Sequence, residues 1–392
     1  MIYKGFHDKK LSNLGFGTMR LPVLSDGTID QPQLDAMVDY AMAHGVNYFD
    51  TAYPYHGGAS ETAIARSLHR YPRESWYLAD KYPGHQIVEC YDPKAIFEDQ
   101  LKKCGVDHFD FYLLHNVWEG SLDVYLDPQW GIMDYFLEQK RLGRITHLGF
   151  STHGRVDMIR SFLDRYGSEM EFCQIQLNYL DWTLQDAKGK YDLLTERGIP
   201  VWVMEPVRGG KLAKLSEPEE AKLRALRPDA STASWGFRFL QGLPNVTMIL
   251  SGMSNTAQME DNIDTFSQPA PLSQAEIDLL LDLAEGMKNA IPCTACRYCC
   301  DGCPVGLDIP TLLSVCSDLR FSPALITAMA VQSLPEEKQP TACLACGKCA
   351  KICPQGIDIP SIMTELTERL STIPNWADVC RQREEEQKKH RA

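Results

Sequence analysis

Residues 31–50 read QPQLDAMVDYAMAHGVNYFD and contain the pattern on which the fold prediction rests. Apolar residues recur there with the 3.6-residue period of an amphipathic helix, at Leu34, Met37, Val38, Ala41 and Met42. Pro32 lies near the predicted helix start and Gly45 directly past its end, as is common at helix termini. The apolar run Val46 to Phe49 follows at once. This segment therefore predicts one helix followed by one strand.

The same alternation of short apolar runs and longer helical segments continues on both sides of this stretch. The runs predict eight strands, at residues 14–18, 46–49, 76–79, 109–114, 145–150, 172–177, 200–204 and 246–250. Eight strands separated by helices over about 250 to 280 residues favour an α/β fold of the (β/α)8 TIM barrel type over an open, doubly wound sheet. No G-x-G-x-x-G motif follows an early strand, so the nucleotide-binding motif of the open sheet is missing.

The composition narrows the classes of partner. Of the 392 residues, 44% are hydrophobic, which is enough for a large core and more than one folding unit. With a net charge of −13, the chain lacks the basic surface that nucleic acid binding requires. Met1 to Lys10 contain no apolar signal-peptide core, and the chain has no apolar run of about 18 residues. We therefore expect a cytoplasmic protein with neither a nucleic acid nor a membrane partner.

The 14 cysteines are concentrated near the C-terminus. Ten of them lie between Cys293 and Cys353, whereas Cys380 stands alone in the tail. Such a dense group in a reducing cytoplasm indicates metal binding rather than disulfides. The change in composition predicts three regions: a barrel domain over 1–285, a metal-binding domain over 286–372 and a charged tail over 373–392.

An internal repeat defines the metal-binding domain. Residues 293–310 and 343–360 align at an offset of 50, with identical residues at 10 of 18 positions. Each copy contains C-x2-C-x2-C-x3-C-P, in which three close thiolates hold three corners of one iron–sulfur cube and the fourth reaches the neighbouring cube. The spacing therefore predicts two 4Fe-4S clusters. The first would be bound by Cys293, Cys296, Cys299 and Cys353, and the second by Cys303, Cys343, Cys346 and Cys349.

A pair of zinc ribbons is the alternative, because C-x2-C pairs also bind zinc. A third cysteine at the next x2 step and a C-P end in both copies favour iron–sulfur clusters. Cys300 and Cys316 are surplus, and the spacing to Cys303 favours Cys299 over Cys300 as the third ligand. The domain resembles dicluster ferredoxins. Its helical segments are more similar to the α-helical ferredoxin type than to the small β-hairpin type.

Polar residues at the C-terminal ends of the barrel strands are the catalytic candidates, because barrel enzymes place their chemistry there. Asp50, Lys81 and His115 close the second, third and fourth predicted strands, and Tyr55 lies on the loop after Asp50. A tyrosine can act as a general acid near neutral pH if a neighbouring lysine lowers its pKa from about 10. We expect Lys81 to have this effect and Asp50 to orient Lys81. His115 would direct a carbonyl oxygen towards the phenol.

Phe49-Asp50-Thr51-Ala52 with Tyr55, Lys81 after a strand, and Leu113-Leu114-His115 resemble the Asp, Tyr, Lys and His tetrad of the aldo/keto reductase family. The resemblance covers roughly residues 1–285. It implies an oxidoreductase that uses a nicotinamide and acts on a small carbonyl or alcohol. The family's spacing from Asp50 favours Tyr55 over the neighbouring Tyr53.

The resemblance also implies a set of cofactor-binding residues. The family's carboxamide-binding serine and glutamine correspond to Ser151 and Gln174, and Thr152 replaces the usual asparagine. Met204 stands in place of a stacking aromatic residue and can still pack against a ring. Flexible backbone and two cations for a phosphate group are offered by Arg208, Gly209, Gly210 and Lys211.

One position departs from the family in a way that bears on the choice of cofactor. The arginine that pairs with the 2′-phosphate of NADPH corresponds to Gln258, and a neutral amide cannot replace a bidentate guanidinium. Asn262 keeps its family identity near the adenine end. The resemblance therefore leaves NADPH and NADH open, and the phosphate end of the barrel also admits FMN.

The two domains together suggest a redox enzyme. A hydride carries two electrons and a 4Fe-4S cluster passes one, so a flavin or a radical-stabilising substrate would normally mediate between them. The leading hypothesis is an oxidoreductase that interconverts a carbonyl and an alcohol in the barrel, with clusters that exchange electrons with a ferredoxin-like or flavodoxin-like partner. The alternatives are a nicotinamide-only reductase with structural or oxygen-sensing clusters, a non-catalytic scaffold, and a chiefly electron-transfer subunit. The intact tetrad argues against a chiefly electron-transfer subunit, because a pure carrier does not need these four residues together.

Overall fold

The computed structural model describes residues 1–86, 88–287, 291–321, 325–375 and 378. These residues form two compact units that divide between Ala284 and Glu285. Cys380 and the rest of the predicted charged tail beyond residue 378 lie outside the described residues. Of the helices in the described ranges, none has the length and hydrophobicity needed to cross a membrane.

Eight parallel strands of the first unit close into a barrel, which confirms the predicted fold. An antiparallel hairpin of β1 (Tyr3–Phe6) and β2 (Lys9–Ser12) precedes them. The barrel strands are β3 (Leu14–Gly17), β4 (Tyr48–Asp50), β5 (Tyr77–Tyr82), β6 (Phe109–Leu114), β7 (Ile145–Thr152), β8 (Cys173–Gln176), β9 (Val201–Met204) and β10 (Val246–Ser251).

The barrel closes where β10 pairs with β3, and Leu250 lies opposite Gly15. A Cβ atom at Gly15 would lie 2.6 Å from Leu250 Cδ2, so glycine permits this close approach and a larger residue would not. Because the strands are parallel, their C-terminal ends all lie at one end of the barrel.

Helices follow the strands on the outside of the barrel. The first, α1 (Gln31–Ala43), covers the predicted segment, and the Asp30 side chain caps it by accepting a hydrogen bond from Gln33 N at 3.1 Å. Further helices before residue 287 are α2 (Ser60–Leu68), α3 (Pro93–Cys104), α4 (Leu122–Leu126), α5 (Ile132–Arg141), α6 (Val156–Tyr166), α7 (Asp181–Leu184), α8 (Ala187–Glu196), α9 (Glu217–Leu226), α10 (Thr232–Gln241), α11 (Thr256–Thr265) and α12 (Gln274–Gly286).

The sequence patterns do not predict the N-terminal hairpin, which covers the end of the barrel opposite the candidate site. Phe6 packs edge-on against Trp202, near the start of β9, with the ring centroids 4.9 Å apart. It also contacts His147, near the start of β7, at 5.0 Å between centroids. The hairpin therefore seals the amino-terminal ends of the strands with a buried aromatic side chain.

A polar cluster joins this hairpin to the barrel. Glu171 accepts a hydrogen bond from His147 Nδ1 at 2.7 Å and forms ion pairs with His7 Nε2 at 3.1 Å and Lys140 Nζ at 3.0 Å. Burial alone would raise the pKa of Glu171, but hydrogen bonds from His147 and Lys140 outweigh it and lower this pKa to about 2. Glu171 is therefore ionised throughout the neutral range.

Glu171→Gln should lower the free energy of unfolding by about 1–3 kcal/mol at neutral pH, because it removes the charged acceptor of this cluster. The native pKa of Glu171 lies below its unfolded value of 4.5, so the ionised carboxylate stabilises the fold above about pH 4.5. That contribution is lost as the pH falls from about 4.5 towards 2. Urea unfolding at neutral pH and at about pH 3 measures whether the gap between variant and wild type narrows.

The matched control is Glu138→Gln, because Glu138 pairs with Arg141 on the exposed surface of α5. Exposed pairs contribute little, so this variant should unfold almost as the wild type does. A stability loss at Glu171→Gln that is the same at both pH values would contradict the interpretation.

The second unit is mainly helical, as predicted. Its described helices are α13 (Tyr298–Asp301), α14 (Ile309–Phe321), α15 (Leu325–Gln332), α16 (Lys348–Ile352) and α17 (Ile359–Ser371). The two repeats lead into α14 and α17, whose apolar faces meet in a core that includes Leu312, Leu313, Met363 and Leu366. Glu365 joins the same two helices by accepting a hydrogen bond from Arg320 Nε at 2.8 Å.

Candidate active site and candidate metal centres

A buried ion pair lies at the C-terminal ends of β4 and β5. Lys81 Nζ donates to Asp50 Oδ1 at 2.5 Å and to the backbone oxygen of Thr51 at 2.6 Å. Lys81 is fully buried, and a buried ammonium group is tolerated only with such partners. Burial raises the pKa of Asp50, and the charge of Lys81 opposes this rise.

Tyr55 lies beside this pair, at the start of a 3-10 turn over Tyr55–Gly58. Lys81 Nζ is 5.0 Å from the centroid of the Tyr55 ring. The competing phenol, Tyr53, instead lies under Lys103 Nζ, which is 4.3 Å from its ring centroid. The structure thus brings Tyr55, and not Tyr53, next to Lys81.

The expectation that Lys81 lowers the pKa of Tyr55 is wrong for this structure. Burial raises this pKa well above 10, and the charges of Asp50 and Glu205 raise it further. The hydrogen bonds of Lys81 Nζ go to Asp50 and Thr51, so Asp50 already balances its charge and the phenolate gains little from it. Tyr55 therefore keeps its proton at neutral pH.

His115 follows β6 directly, and its ring lies edge-to-face with Tyr55 at 5.9 Å between centroids. Burial lowers the pKa of His115 well below 6.5, and the charges of His85 and Lys81 lower it further. The imidazole is therefore neutral at pH 7. A neutral ring can hydrogen-bond a carbonyl oxygen without adding charge to the buried site.

Two polar residues near this centre are not among the candidates that the sequence patterns identify. The His85 ring lies 4.4 Å from that of His115 between centroids, and burial lowers the pKa of His85 to about 4. Glu205 directly follows β9, and it pairs with Arg20 Nη2 at 3.2 Å. The strand-end rule, applied to β9, would have found Glu205, whereas His85 lies within a loop.

The residues assigned to the carboxamide end of a nicotinamide lie together at the ends of neighbouring strands. Ser151 on β7 is opposite Gln174 on β8. Ser151 Oγ accepts a hydrogen bond from Asn116 N at 2.8 Å, while Gln174 Oε1 is buried with no hydrogen-bond partner among the described residues. A buried acceptor without a donor fits a ligand that brings an N–H group. Met204 closes β9 and is half-buried.

Thr152 is committed to the fold rather than open to a ligand. Its Oγ1 donates to the backbone oxygen of Val117 at 2.5 Å and accepts from Gly154 N at 2.9 Å. The first bond holds the end of β7 against the loop after β6, and the second fixes the turn that follows β7. The cofactor contact implied for this position therefore has no free hydroxyl to use.

Arg208, which the resemblance places at the phosphate end of the cofactor site, lies inside the barrel unit. Its side chain is fully buried, and its Nε donates to Asp181 Oδ2 at 3.1 Å, so this cation is held in the core. Its Nη1 and Nη2 are buried and have no hydrogen-bond partner among the described residues, which leaves donors for an anionic group. Gly209 and Gly210 adopt positive φ values of 64° and 91°, which glycine accommodates at low cost.

Gln258 lies in the first turn of α11 and is exposed. Its Oε1 accepts a hydrogen bond from Ser254 N at 2.8 Å, so the amide closes the loop before the helix instead of presenting a charge. Asn262, one turn further on, is buried and donates to Ser251 Oγ at 3.0 Å. The neutral amide of Gln258 therefore brings no positive charge that could pair with a 2′-phosphate.

In the second unit, the cysteines divide into two cavities. The first cavity is lined by Cys293, Cys296, Cys299 and Cys353, with apolar neighbours that include Leu313 and Ile357. The second cavity is lined by Cys303, Cys343, Cys346 and Cys349, with apolar neighbours that include Leu307 and Met363. Each set joins three cysteines of one repeat to the fourth of the other, which is the arrangement that the spacing predicts. Four converging thiols per cavity fit the donor set of a 4Fe-4S cluster.

The surplus cysteines lie elsewhere. Cys300 is adjacent to Cys299 but does not line the first cavity. Cys316 is fully buried in the apolar core of the helices and serves there as a small hydrophobic residue.

Comparison with known proteins assigns the two units to different families. Residues 13–285 match the sequence profile of the aldo/keto reductase family. Residues 292–358 match the profile of the 4Fe-4S dicluster domain.

The relatives resemble the barrel part of the chain. The NADH-specific methylglyoxal reductase of Escherichia coli (strain K12) is 24% identical over 331 residues, which cover 73% of this chain and 98% of that protein. L-galactose dehydrogenase of Arabidopsis thaliana is 25% identical over 302 residues, 70% of this chain and 91% of that one. Among solved structures, the holo form of aldo-keto reductase AKR11C1 from Bacillus halodurans superposes with a TM-score of 0.58 at 26% identity, covering 72% of this chain and 96% of the other.

The cysteine geometry predicts a selective loss of iron. Cys349→Ser should remove about half of the iron and sulfide bound per chain, because Cys349 lines only the second cavity. Cys300→Ser is the matched control and should retain all of it, since Cys300 lines neither cavity. Iron and sulfide are quantified after anaerobic purification. An unchanged count in Cys349→Ser, or an equal loss in Cys300→Ser, would show that the ligand sets are wrong.

Proposed function

The chain belongs to the aldo/keto reductase family and carries a 4Fe-4S dicluster domain, and from this we propose that its barrel interconverts a carbonyl and an alcohol with NADH. We propose further that two 4Fe-4S clusters exchange electrons with a ferredoxin-like or flavodoxin-like carrier. The observation that carries the first proposal is the assembly of Asp50, Tyr55, Lys81 and His115 at one end of the barrel.

The four residues divide the work of carbonyl reduction. Tyr55 holds a proton at neutral pH and donates it to the carbonyl oxygen as that oxygen gains charge. The neutral His115 beside it orients the same oxygen by a hydrogen bond. Lys81 is fixed by Asp50 and lies 5.0 Å from the centroid of the phenol ring, so the ion pair positions this ring for proton transfer.

The residues around this centre fit a nicotinamide. When bound, the reduced cofactor supplies the hydride for the carbonyl carbon. Gln174 Oε1 would accept a hydrogen bond from the carboxamide, with Ser151 beside it, and Met204 would pack against the ring. The unpaired donors of Arg208 would bind the phosphates next to Gly209 and Gly210.

NADH is the cofactor that we favour over NADPH. The exposed amide of Gln258 already bonds Ser254 and brings no positive charge to a 2′-phosphate. The name of the E. coli relative, an NADH-specific methylglyoxal reductase, supports this preference. That name and the name of the plant L-galactose dehydrogenase support a small polar aldehyde or sugar-like alcohol as substrate.

Tyr55→Phe should lower carbonyl turnover with NADH by about 10²- to 10⁴-fold, because it removes the proton donor and leaves the ring in place. NADH binding, measured by fluorescence titration, should not change. Tyr53→Phe is the matched control, since this phenol lies under Lys103, and it should keep nearly full turnover. Retained turnover in Tyr55→Phe, or an equal loss in Tyr53→Phe, would rule out the tetrad assignment.

The role of the clusters requires a separate test. If they take part in turnover, NADH added to the anaerobic protein with about eight iron per chain should bleach the absorbance near about 400 nm. Flavin is quantified in the same sample, because FMN is the mediator that would split the electron pair. No bleaching over many turnovers would favour the alternative, a nicotinamide-only reductase whose clusters are structural or oxygen-sensing.

A further inference from the structure

The two cysteine cavities occupy equivalent places in the repeat, but their loops differ in exposure. Cys293 is buried, whereas its counterpart Cys343 is half-buried. Cys296 is half-buried, whereas its counterpart Cys346 is exposed. Electron exchange with another protein requires a short path from the cluster to the surface, so the second cavity is the better placed of the two.

An apolar side chain marks the rim of the second cavity. Leu344 lines this cavity and is 67% exposed. The equivalent residue of the first loop, Thr294, is 2% exposed. The polar residue is therefore buried and the apolar residue faces solvent, which is the reverse of what folding alone favours. An exposed leucine directly beside a redox site provides an apolar contact for a partner.

Three exposed lysines lie on or next to the segments that form this cavity. Lys348 is exposed and lines the second cavity next to Leu344. Lys338 Nζ donates to the backbone oxygens of Val305 at 2.9 Å and Gly306 at 3.0 Å, and Val305 also lines this cavity. Lys351 is exposed on α16, three residues after Lys348.

The charge of this region is opposite to that of the whole chain. Between Glu337 and Asp358 the sequence contains Lys338, Lys348 and Lys351 and no acidic residue. The chain as a whole carries a net charge of −13. In the loop of the first cavity, by contrast, Arg297 forms an ion pair with Asp308 at 3.0 Å. The segment 338–357, which supplies Lys348 and three of the cysteines that line the second cavity, is therefore basic on an acidic protein.

We propose that Leu344, Lys338, Lys348 and Lys351 form the docking surface for an acidic carrier protein of the ferredoxin class. The proposal rests on the electron-transfer part of the proposed function and names its site and partner. One electron passes between the carrier's one-electron centre and the cluster bound by Cys303, Cys343, Cys346 and Cys349. One centre is oxidised and the other reduced, and no bond or proton changes.

The composition of this surface suits a short-lived redox complex. Interfaces of this kind are small, with an apolar contact at the centre and a charged rim. Lysines at the rim raise the association rate with an acidic partner by electrostatic steering, which weakens as salt increases. Leu344 supplies the apolar contact and the three lysines supply the charge.

The test measures binding rather than turnover. An acidic plant-type [2Fe-2S] ferredoxin is titrated into the anaerobic, cluster-loaded protein by calorimetry at low and at high salt. Lys348→Glu combined with Lys351→Glu should weaken binding at low salt by about tenfold or more and flatten its salt dependence. Lys222→Glu on α9, an exposed lysine of the barrel, is the charge control and should bind as the wild type does.

A second pair of variants tests the apolar contact. Leu344→Asp should weaken ferredoxin binding by about fivefold or more, because it replaces the central contact with a charge that repels the partner. Leu226→Asp introduces the same charge at another exposed leucine, at the end of α9, and should have no effect. Iron and sulfide content should be unchanged in every variant.

Three results would overturn the proposal. The first is equal affinity in all variants, and the second is tighter binding of a basic c-type cytochrome than of the ferredoxin. The third is loss of iron from the lysine variants, because it would mean that these lysines retain the cluster. Carbonyl turnover with NADH separates this proposal from the enzymatic one. Turnover and full iron content without ferredoxin binding overturn the docking surface alone. A wild-type protein without iron overturns the docking surface and the proposed electron exchange, and leaves the carbonyl reaction to be judged by turnover.

Discussion

The buried ion pair between Lys81 and Asp50 is the interaction on which the polar centre of the barrel depends. A fully buried ammonium group is stable only with its partners, and removing one side of such a pair costs about 3–5 kcal/mol. The partners are available because β4 lies beside β5 in the closed barrel, with Asp50 opposite Ala79. Closure in turn needs the small Gly15 where β10 meets β3. The pair then sets the surroundings of Tyr55, since Asp50 balances the charge of Lys81 and leaves burial to raise the pKa of the phenol.

The second unit depends on a different constraint, because its core is small and contains its cysteines. Cys293, Cys299, Cys349 and Cys353 belong to the same apolar cluster as Leu312 and Leu366. A unit of this size gains much of its stability from bound metal, and deprotonated thiolates would be costly in this core without one. We therefore expect clusters bound in these cavities to stabilise this unit. A structural role and an electron-transfer role are compatible, and what distinguishes the second cavity is its exposed rim at Leu344.

Much of the barrel follows from the sequence, because alternating helical and strand periods report burial directly. The strand Phe109–Leu114 is found at its predicted residues, and the cysteine spacing alone pairs the two repeats. The hairpin of β1 and β2 was not predicted, because its strands are four residues long and mix lysines with apolar residues. The burial of Arg208 and the raised pKa of Tyr55 were not predicted for another reason: the first depends on a partner distant in sequence, and the second mainly on burial in the folded barrel. Asp181 lies 27 residues from Arg208, and spacing says nothing about which carboxylate a buried cation will meet.

The two units would handle different numbers of electrons in one step. Carbonyl reduction takes up one hydride, which carries both electrons, and one further proton, for which the proposed donor is Tyr55. Each 4Fe-4S cluster passes one electron, so two clusters together hold as many electrons as one hydride carries. A carrier that exchanges single electrons with an exposed site must be met twice for each pair of electrons that passes. Weak, fast and salt-dependent docking suits such repeated encounters better than a tight complex does, because a carrier must leave before the next one arrives. A small basic rim with one apolar contact provides that kind of binding, and a large apolar interface would not.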